Sequence, residues 1–348
     1  MSVATFSVAG RAVGAGKAFL IAEVAQSHDG SLGLAHAFID AAHAAGADAV
    51  KFQTHIAAAE STLDEEFRVK FSRQDATRYD YWKRMEFTAE QWAGLASHAA
   101  ERGVVFLSSP FSIAAVDLLQ RLGMAAWKVG SGEVRSHDLI RTMAATGKPV
   151  LVSSGMSTYA DLGAAAELVR AARAPLAVFQ CTTKYPTPLA EVGLNVLDEL
   201  RRRFSCPVGL SDHSGKTYPA LAAMARGADL VEVHFALDRT MFGPDVPVSL
   251  VPSEIRLLAE ARDAYAEMDA HPVDNDAAAG LLTPMRALFN KSLAPKEAIA
   301  KGAVLAANML TTKKPGTGIP AHEIDTVLGR RLKHDVGPER LLRREDLE

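Results

Sequence analysis

Two histidines, His213 and His234, stand where apolar runs give way to polar residues. Cys206–Leu210 leads into Ser211-Asp212-His213, and Leu230–Val233 leads into His234. Their separation is too long for one face of a helix. It suits two neighbouring strand ends joined by a helix over Pro219–Gly227. Imidazoles placed in this way can share one divalent cation and leave coordination positions open for a substrate. A pair of histidines is as readily one buried, hydrogen-bonded residue and one surface residue, so the pair takes its meaning from what surrounds it. Two lysines, Lys51 and Lys128, and two glutamates, Glu23 and Glu133, close other apolar runs, together with Ser109, Ser131, Ser153, Ser154 and Ser211. Serines begin loops without needing a function. Lysines and glutamates at an enclosed mouth must be taken out of water, which demands a compensating role. Fixed cations among neutral hydroxyl donors suit a ligand that carries both a carboxylate and a phosphate. Ser211-Asp212-His213 is not read as a hydrolytic triad, because adjacent residues point to opposite faces of a strand.

The elements that must position these groups follow a strand–helix rhythm. Candidate strands are Phe19–Val24, Ala49–Phe52, Val104–Ser108, Ala126–Val129, Val150–Ser153, Leu176–Gln180, Pro207–Leu210 and Leu230–Val233. Helices are expected near Leu32–Ala45, Ala89–Arg102, Ser112–Leu122, His137–Thr146, Tyr159–Ala172, Val192–Arg203, Tyr218–Arg226 and Pro252–Met268. Eight such units in about 250 residues point to an α/β fold, a closed (β/α)8 TIM barrel; an open doubly wound sheet fits if two of the strands are misread. The reactive residues all fall at strand C-termini, the face on which barrel enzymes assemble their sites. One connection is long, 54–87, and carries Arg68, Arg73, Tyr79, Tyr81 and Trp82. Such a loop is a lid or an oligomer contact. Thr5–Val13 reads as a short hairpin lid, and Gly14–Lys17 as a turn rather than a phosphate loop, since Ala18 follows the lysine.

The chain has 348 residues, enough for two domains. The boundaries read as a barrel over 1–270, a linker over 271–284 and a small β-rich domain over 285–348. The linker reading rests on Asp269–Leu282, with its proline, glycine and acidic residues and no periodicity. Beyond it, Arg286–Ala294, Ile299–Ala307 and Met309–Thr312 read as short strands. A net charge of −3 offers no footprint for nucleic acid. Cys181 and Cys206 lie in apolar runs, which favours buried thiols in a reducing compartment. No signal peptide is visible and no apolar run approaches the roughly 20 residues that span a bilayer, so a cytoplasmic protein without membrane partners is expected.

Several stretches resemble the sialic acid synthase family of N-acetylneuraminate, legionaminate and pseudaminate synthases. They include IAEVAQSHDGSLGLA (21–35), AGADAVKFQTH (45–55), FLSSPFS (106–112), WKVGSGE (127–133), SSGMST (153–158), QCTTKYPTP (180–188), GLSDHS (209–214), VHFALDR (233–239) and GPD (243–245). Residues 292–332 resemble that family's C-terminal antifreeze-like (SAF) domain. The resemblance implies a barrel followed by a β-clip SAF domain, and a domain-swapped homodimer in which each SAF domain caps the partner's active site. It implies condensation of phosphoenolpyruvate with an N-acylated aldose of the hexosamine type, with a divalent metal, Mn2+ or Mg2+. The products would be a nonulosonic 2-keto-3-deoxy acid and phosphate, formed with C–O cleavage. On the same ground His213 and His234 match metal ligands. Lys51, Lys128, Ser131, Ser211 and one of Ser153 and Ser154 match phosphoenolpyruvate contacts. Gln53, Tyr185 and Asp245 match sugar contacts, Glu23 is the candidate for proton handling, and Glu133 would hold the sugar or pair with Lys128. Thr183 stands where many members have asparagine. Lys314 occupies the position of an arginine that N-acetylneuraminate synthases present to the N-acyl group; lysine keeps the charge but lacks the planar fork. Ala236 replaces an expected threonine.

Without the resemblance, the same residues suit a metal-dependent aldolase, or a Schiff-base pyruvate aldolase with Lys128 as nucleophile. A non-catalytic carbohydrate-binding barrel is the remaining alternative, and it predicts gaps among the strand-end residues that are not found.

Overall fold

A computed structural model describes residues 4–348, which divide into two compact units meeting between Ala270 and His271. The first begins with an antiparallel hairpin, β1 (Phe6–Val8) and β2 (Arg11–Val13). Eight strands follow: β3 (Phe19–Ala25), β4 (Ala49–Thr54), β5 (Val105–Pro110), β6 (Trp127–Val129), β7 (Val150–Ser153), β8 (Leu176–Cys181), β9 (Val208–Asp212) and β10 (Leu230–His234). They form one parallel sheet in the order β5-β4-β3-β10-β9-β8-β7-β6. The end strands β5 and β6 lie side by side, so the sheet closes into a (β/α)8 barrel. Parallel strands covered on both faces are apolar throughout, and every residue of Phe19–Ala25 is buried. Each expected strand and helix of the barrel is present within a few residues of its expected limits.

Local chemistry fixes the helix starts. Thr88 and Thr158 form capping boxes with Gln91 and Asp161, and Ser31 and Ser112 accept hydrogen bonds from the first turns of their helices. The hairpin differs from its expected role as a lid over the mouth. Arg11 pairs with Asp48 (2.6 Å) and donates to Gly103 O (2.8 Å). Asp48 and Gly103 precede β4 and β5, so the hairpin packs at the opposite end of the barrel from the strand C-termini. The reason is in its sequence: Val8 and Val13 are fully buried and join the barrel core. Among the described residues no helix is long and apolar enough to cross a membrane.

The second unit, His271–Glu348, opens with helices over Asn275–Leu281 and Thr283–Phe289. The segment read as an aperiodic linker is therefore largely helical, because the Asp274 side chain caps it by accepting from the Asp276 and Ala277 amides. Arg286–Phe289 belong to the second helix rather than to a strand. Strands β11 (Ser292–Pro295) and β12 (Leu310–Lys313) pair antiparallel. Ile299–Ala307 makes only isolated bridges, at Ile299 and Val304. A small core of Leu293, Ile299, Leu305, Leu310, Leu332 and Val336 with their neighbours holds the unit together. Asp346, almost fully buried, ties its C-terminus to Arg340 (2.7 Å) and His334 (2.7 Å).

Candidate active site

The period-2 alternation of a strand puts Glu232 and His234 on one face of β10, and Lys51 and Gln53 on one face of β4. At the barrel mouth these faces converge on a buried ionic cluster. Lys51 Nζ lies 2.7 Å from Glu23 Oε2 and 3.7 Å from Glu232 Oε2, and donates to Ser109 Oγ at 3.2 Å. Lys128 Nζ lies 3.6 Å from Glu232 Oε1 and donates to Ser153 Oγ. Ser211 Oγ donates to Glu232 Oε1 (3.2 Å), and Gln53 Nε2 to Glu23 Oε1 (3.0 Å). Two lysines thus face two carboxylates, and all four are buried.

Burial pushes the Glu23 carboxyl up to about 7, against the pull of Lys51. Burial also works against the Lys51 charge, but Glu23 and Glu232 outweigh it and hold the lysine above its ordinary value. Lys128 is drawn below its ordinary value by burial, with Glu232 opposing. For Glu232 the desolvation is outweighed by Lys128 and Lys51, so it is held below the usual carboxylate range. Each lysine already has a carboxylate neighbour.

His213 and His234 stand above the cluster with ring centroids 5.1 Å apart. His213 Nδ1 lies 3.0 Å from Thr182 O and 3.9 Å from Cys181 Sγ, and its Nε2 is 3.1 Å from the Tyr185 hydroxyl. With Nδ1–H donating to the Thr182 carbonyl, Nε2 carries the lone pair and accepts from the Tyr185 hydroxyl. Burial works against the His213 charge, yet the Cys181 thiol raises this residue above its ordinary value. Burial, reinforced by His213 and Lys51, holds His234 well below its ordinary value, so its imidazole is neutral. His234 Nδ1 is buried without a hydrogen-bond partner. A neutral imidazole with an idle buried nitrogen, beside one oriented by a backbone carbonyl, is a donor set that fits a divalent cation. Among the described residues no group of three or more histidine, cysteine, aspartate or glutamate side chains is placed to hold a metal, so further ligands would come from water or substrate.

These groups open into a cavity of about 370 Å3 lined by Glu23, Lys51, Gln53, Ser109, Ser131, Glu133, Ser153, Thr183, Tyr185, Ser211, His213 and His234. Lys128 lies beneath it. A Cβ on Gly155 would stand 2.2 Å from Thr183 Oγ1 and 2.5 Å from Ser131 Oγ, so any larger residue in the loop after β7 would displace both side chains. Ser154 is turned away from the cavity: its hydroxyl accepts from the Cys181 amide (3.1 Å) and donates to Gln180 (3.3 Å), which leaves Ser153 as the member of that pair at the mouth. Glu133 lines the cavity but accepts from Ser136 (2.6 Å), and the carboxylate beside Lys128 is Glu232 instead. Asp245 lines a second, adjoining cavity. Lys314 belongs to the C-terminal unit, with its Nζ 5.1 Å from the Phe289 ring centroid.

Sequence reasoning passed over Glu232, although the alternation Leu230, Glu232, His234 aims it inward. It also passed over Cys181, and over His55, which is stacked between Trp82 (3.9 Å) and Phe111 (4.5 Å) on the cavity wall. The 54–87 connection supplies that wall through His55, Glu60, Glu65, Arg68, Arg78 and Trp82.

The NeuB family model matches residues 38–272 and the SAF domain model matches residues 290–348. The chain is 32% identical over 335 residues to N,N'-diacetyllegionaminic acid synthase of Campylobacter jejuni, covering 94% of this chain and 99% of the relative. It is 30% identical over 329 residues to human N-acetylneuraminate-9-phosphate synthase, covering 90% and 88% respectively. Among solved structures, N-acetylneuraminic acid synthetase of Leptospira borgpetersenii superposes with a TM-score of 0.71 at 24% identity, covering 82% of this chain and 96% of that one. The spore coat polysaccharide biosynthesis protein of Bacillus subtilis gives 0.66 at 27% identity, with 99% of both chains covered. The family models cover most of the barrel and nearly all of the small C-terminal domain, and the chain belongs to the NeuB family and carries a SAF domain.

Proposed function

We propose that this protein condenses phosphoenolpyruvate with the open-chain form of an N-acylated aldose, giving a nonulosonic 2-keto-3-deoxy acid and phosphate. The observation that carries the reading is the buried Lys51–Glu23–Glu232–Lys128 cluster beneath two histidines. It supplies two cations among serine hydroxyls for a carboxylate-phosphate ligand, and a carboxyl of raised pKa beside them. Lys51 and Lys128 with Ser109, Ser131, Ser153 and Ser211 bind and orient phosphoenolpyruvate. C3 of phosphoenolpyruvate attacks the aldehyde carbon, water adds at C2, and the tetrahedral intermediate expels phosphate by C–O cleavage. Glu23, with its carboxyl raised to about 7, takes the proton of that water and returns it to the former aldehyde oxygen, and the C2 hydroxyl proton leaves with the phosphate as the ketone forms. Gln53, Tyr185 and Asp245 hold the aldose, Thr183 stands at the phosphoenolpyruvate end, and Glu133 lies within reach of either substrate.

His213 and His234 are the residues that would hold Mn2+ or Mg2+. When bound, such an ion supplies Lewis acidity toward the aldehyde oxygen. The resemblance supports two further parts of the reading: a cytoplasmic homodimer, and SAF domains that each cap the partner's mouth, with Lys314 at the sugar.

Phosphate release from phosphoenolpyruvate, screened over a panel of aldoses with and without added metal, tests the reading. Release that needs one aldose supports it; release with no sugar refutes it. One observation favours a second reading. Lys128 is held below its ordinary value by burial, as a Schiff-base lysine must be. Its bond to Ser153 and its Glu232 neighbour favour the charged form. A borohydride-stable adduct with pyruvate on Lys128 would establish that alternative.

A further inference from the structure

His55 directly follows β4 on the cavity wall, and the condensation above assigns it no step. Its ring is held on every side. Trp82 and Phe111 stack on it at 3.9 and 4.5 Å between centroids, both within 15° of parallel. Its Nδ1 is hydrogen-bonded to the carboxylate of Glu60, the last residue of a four-residue helix, Ala57–Glu60. The other Glu60 oxygen accepts from the Ile56 amide (3.2 Å). The His55 and Glu60 side chains are almost wholly shielded from water. A carboxylate takes only donors, so Nδ1 carries a proton. Nε2 points the other way, to Gln53 Oε1 at 3.3 Å.

Gln53 links this ring to the chemistry, because its Nε2 donates to Glu23 Oε1 (3.0 Å). A primary amide turns over with little change of shape, and turned over it would present an oxygen to the Glu23 carboxylate. Some group must therefore hold Gln53 Oε1 on the far side. Gln26 Nε2 donates there at 3.0 Å. Gln26 is itself an amide, however, and its own Oε1 is buried without a hydrogen-bond partner among the described residues, so it can turn together with Gln53. His55 cannot turn, because Glu60 and the two stacked rings fix it. With Nε2 protonated as well, it presents an N–H that only one orientation of the Gln53 amide accepts. We propose that His55, held by Glu60, is a positioning residue for the condensation: it locks the Gln53 amide with its N–H on Glu23, and so aims the carboxylate oxygen that takes the proton of the attacking water. The role rests on the condensation reading above and adds what orients its proton acceptor. A plainer role would be to anchor the start of the 54–87 connection through Glu60, and the two roles differ in which ring nitrogen matters.

Three substitutions in the full-length protein separate the two nitrogens from the ring. Glutamine places an amide near Nε2, asparagine places one near Nδ1, and phenylalanine keeps the stacked ring with neither nitrogen. Aldose-dependent phosphate release from phosphoenolpyruvate gives kcat and both KM values, and thermal midpoints are measured on the same preparations. His55→Gln keeps the donor to Gln53 and should retain most of kcat, even where the unpaired Glu60 lowers the midpoint. His55→Asn and His55→Phe should lose about tenfold to a hundredfold in kcat, the worth of a hydrogen bond to a charged group, with KM for phosphoenolpyruvate held within about twofold. On a Gln53→Leu background, His55→Asn should cost less than about twofold more, since its effect passes through Gln53. The reverse order, with His55→Asn active and His55→Gln impaired in step with its midpoint, would overturn the proposal in favour of an anchor. Wild-type kcat in His55→Phe would also overturn it, as would losses that multiply in full with Gln53→Leu; in each case a wild type that needs an aldose leaves the condensation standing. If no aldose supports release by the wild type, the condensation reading falls and the assignment with it.

Discussion

Lys51 Nζ and Glu23 Oε2 lie 2.7 Å apart at the floor of the barrel mouth, and both side chains are almost wholly shielded from water. Their neighbour Glu232 stands 3.7 Å from Lys51 and 3.6 Å from Lys128, so it offsets both cations. Removing that carboxylate leaves a buried positive charge uncompensated, at a cost of about 3–5 kcal/mol. Glu232→Gln is therefore expected to lower the denaturation midpoint of the free protein sharply. Saturating phosphoenolpyruvate should restore more stability to this variant than it adds to the wild type, since the ligand's anionic groups replace the missing charge. An unchanged midpoint would mean that the lysines do not depend on Glu232.

The Glu23 carboxyl, raised by burial to about 7, makes a pH prediction. Its folded value exceeds its ordinary one, so its contribution to stability is complete in acid below the ordinary carboxylate range and is lost as the pH rises through 7. Activity should run the other way, because the proton acceptor must be ionised. kcat/KM is expected to fall on the acid side with an apparent pKa near 7, and Glu23→Gln should lose both that limb and most of the turnover. A pH profile unchanged in shape by Glu23→Gln would assign the limb to another group.

Arg84 fastens the 54–87 connection to the barrel. It donates to both Asp75 oxygens (3.0 and 2.8 Å), to Asp29 Oδ1 (2.7 Å) and to the Asp29 carbonyl (3.0 Å). Arg84 is the main cause that holds the Asp75 carboxyl below its ordinary value of 3.8. The clamp is thus intact above that value and released only as the pH falls below it. Arg84→Ala should make the loop susceptible to limited proteolysis at neutral pH and raise KM for the sugar about tenfold, by the loss of a positioned wall. Protease resistance equal to the wild type's would show that other contacts hold the loop.

Lys314→Arg tests the proposed place of the SAF domain at the sugar. If Lys314 sets the acceptor range, arginine should raise kcat/KM for N-acetylmannosamine relative to other aldoses, because the planar fork allows two parallel hydrogen bonds. Unchanged ratios would place acceptor choice on the barrel loops.

Much of the barrel was legible because its strands are short apolar runs that give way to polar residues, as parallel strands covered on both faces must be. The site was legible where chemistry is rare at strand ends: Lys51, Lys128, His213 and His234 all converge on one mouth. Glu232 was passed over as a lone acid inside an apolar run, although its two-residue spacing from His234 puts it on the same inward face. The choice between Ser153 and Ser154 depended on the same one-residue alternation. Helix over Asn275–Leu281 was hidden by an acidic, glycine-containing composition, and the Asp274 cap decides it. The alternation of the hairpin shows that Val8 and Val13 must be buried, but which end of the barrel buries them depends on the long-range pairing of Arg11 with Asp48.

The central claim is that phosphoenolpyruvate and an aldose are joined with C–O cleavage. Turnover of phosphoenolpyruvate carrying 18O in the bridging C–O–P position, with an N-acylated aldose and divalent metal, followed by mass analysis of both products, tests it directly. The account predicts that all of the label leaves in phosphate, and that the acid produced has the mass of the aldose plus pyruvic acid. Label retained in the keto acid, or phosphate formed without consumption of the aldose, would contradict it.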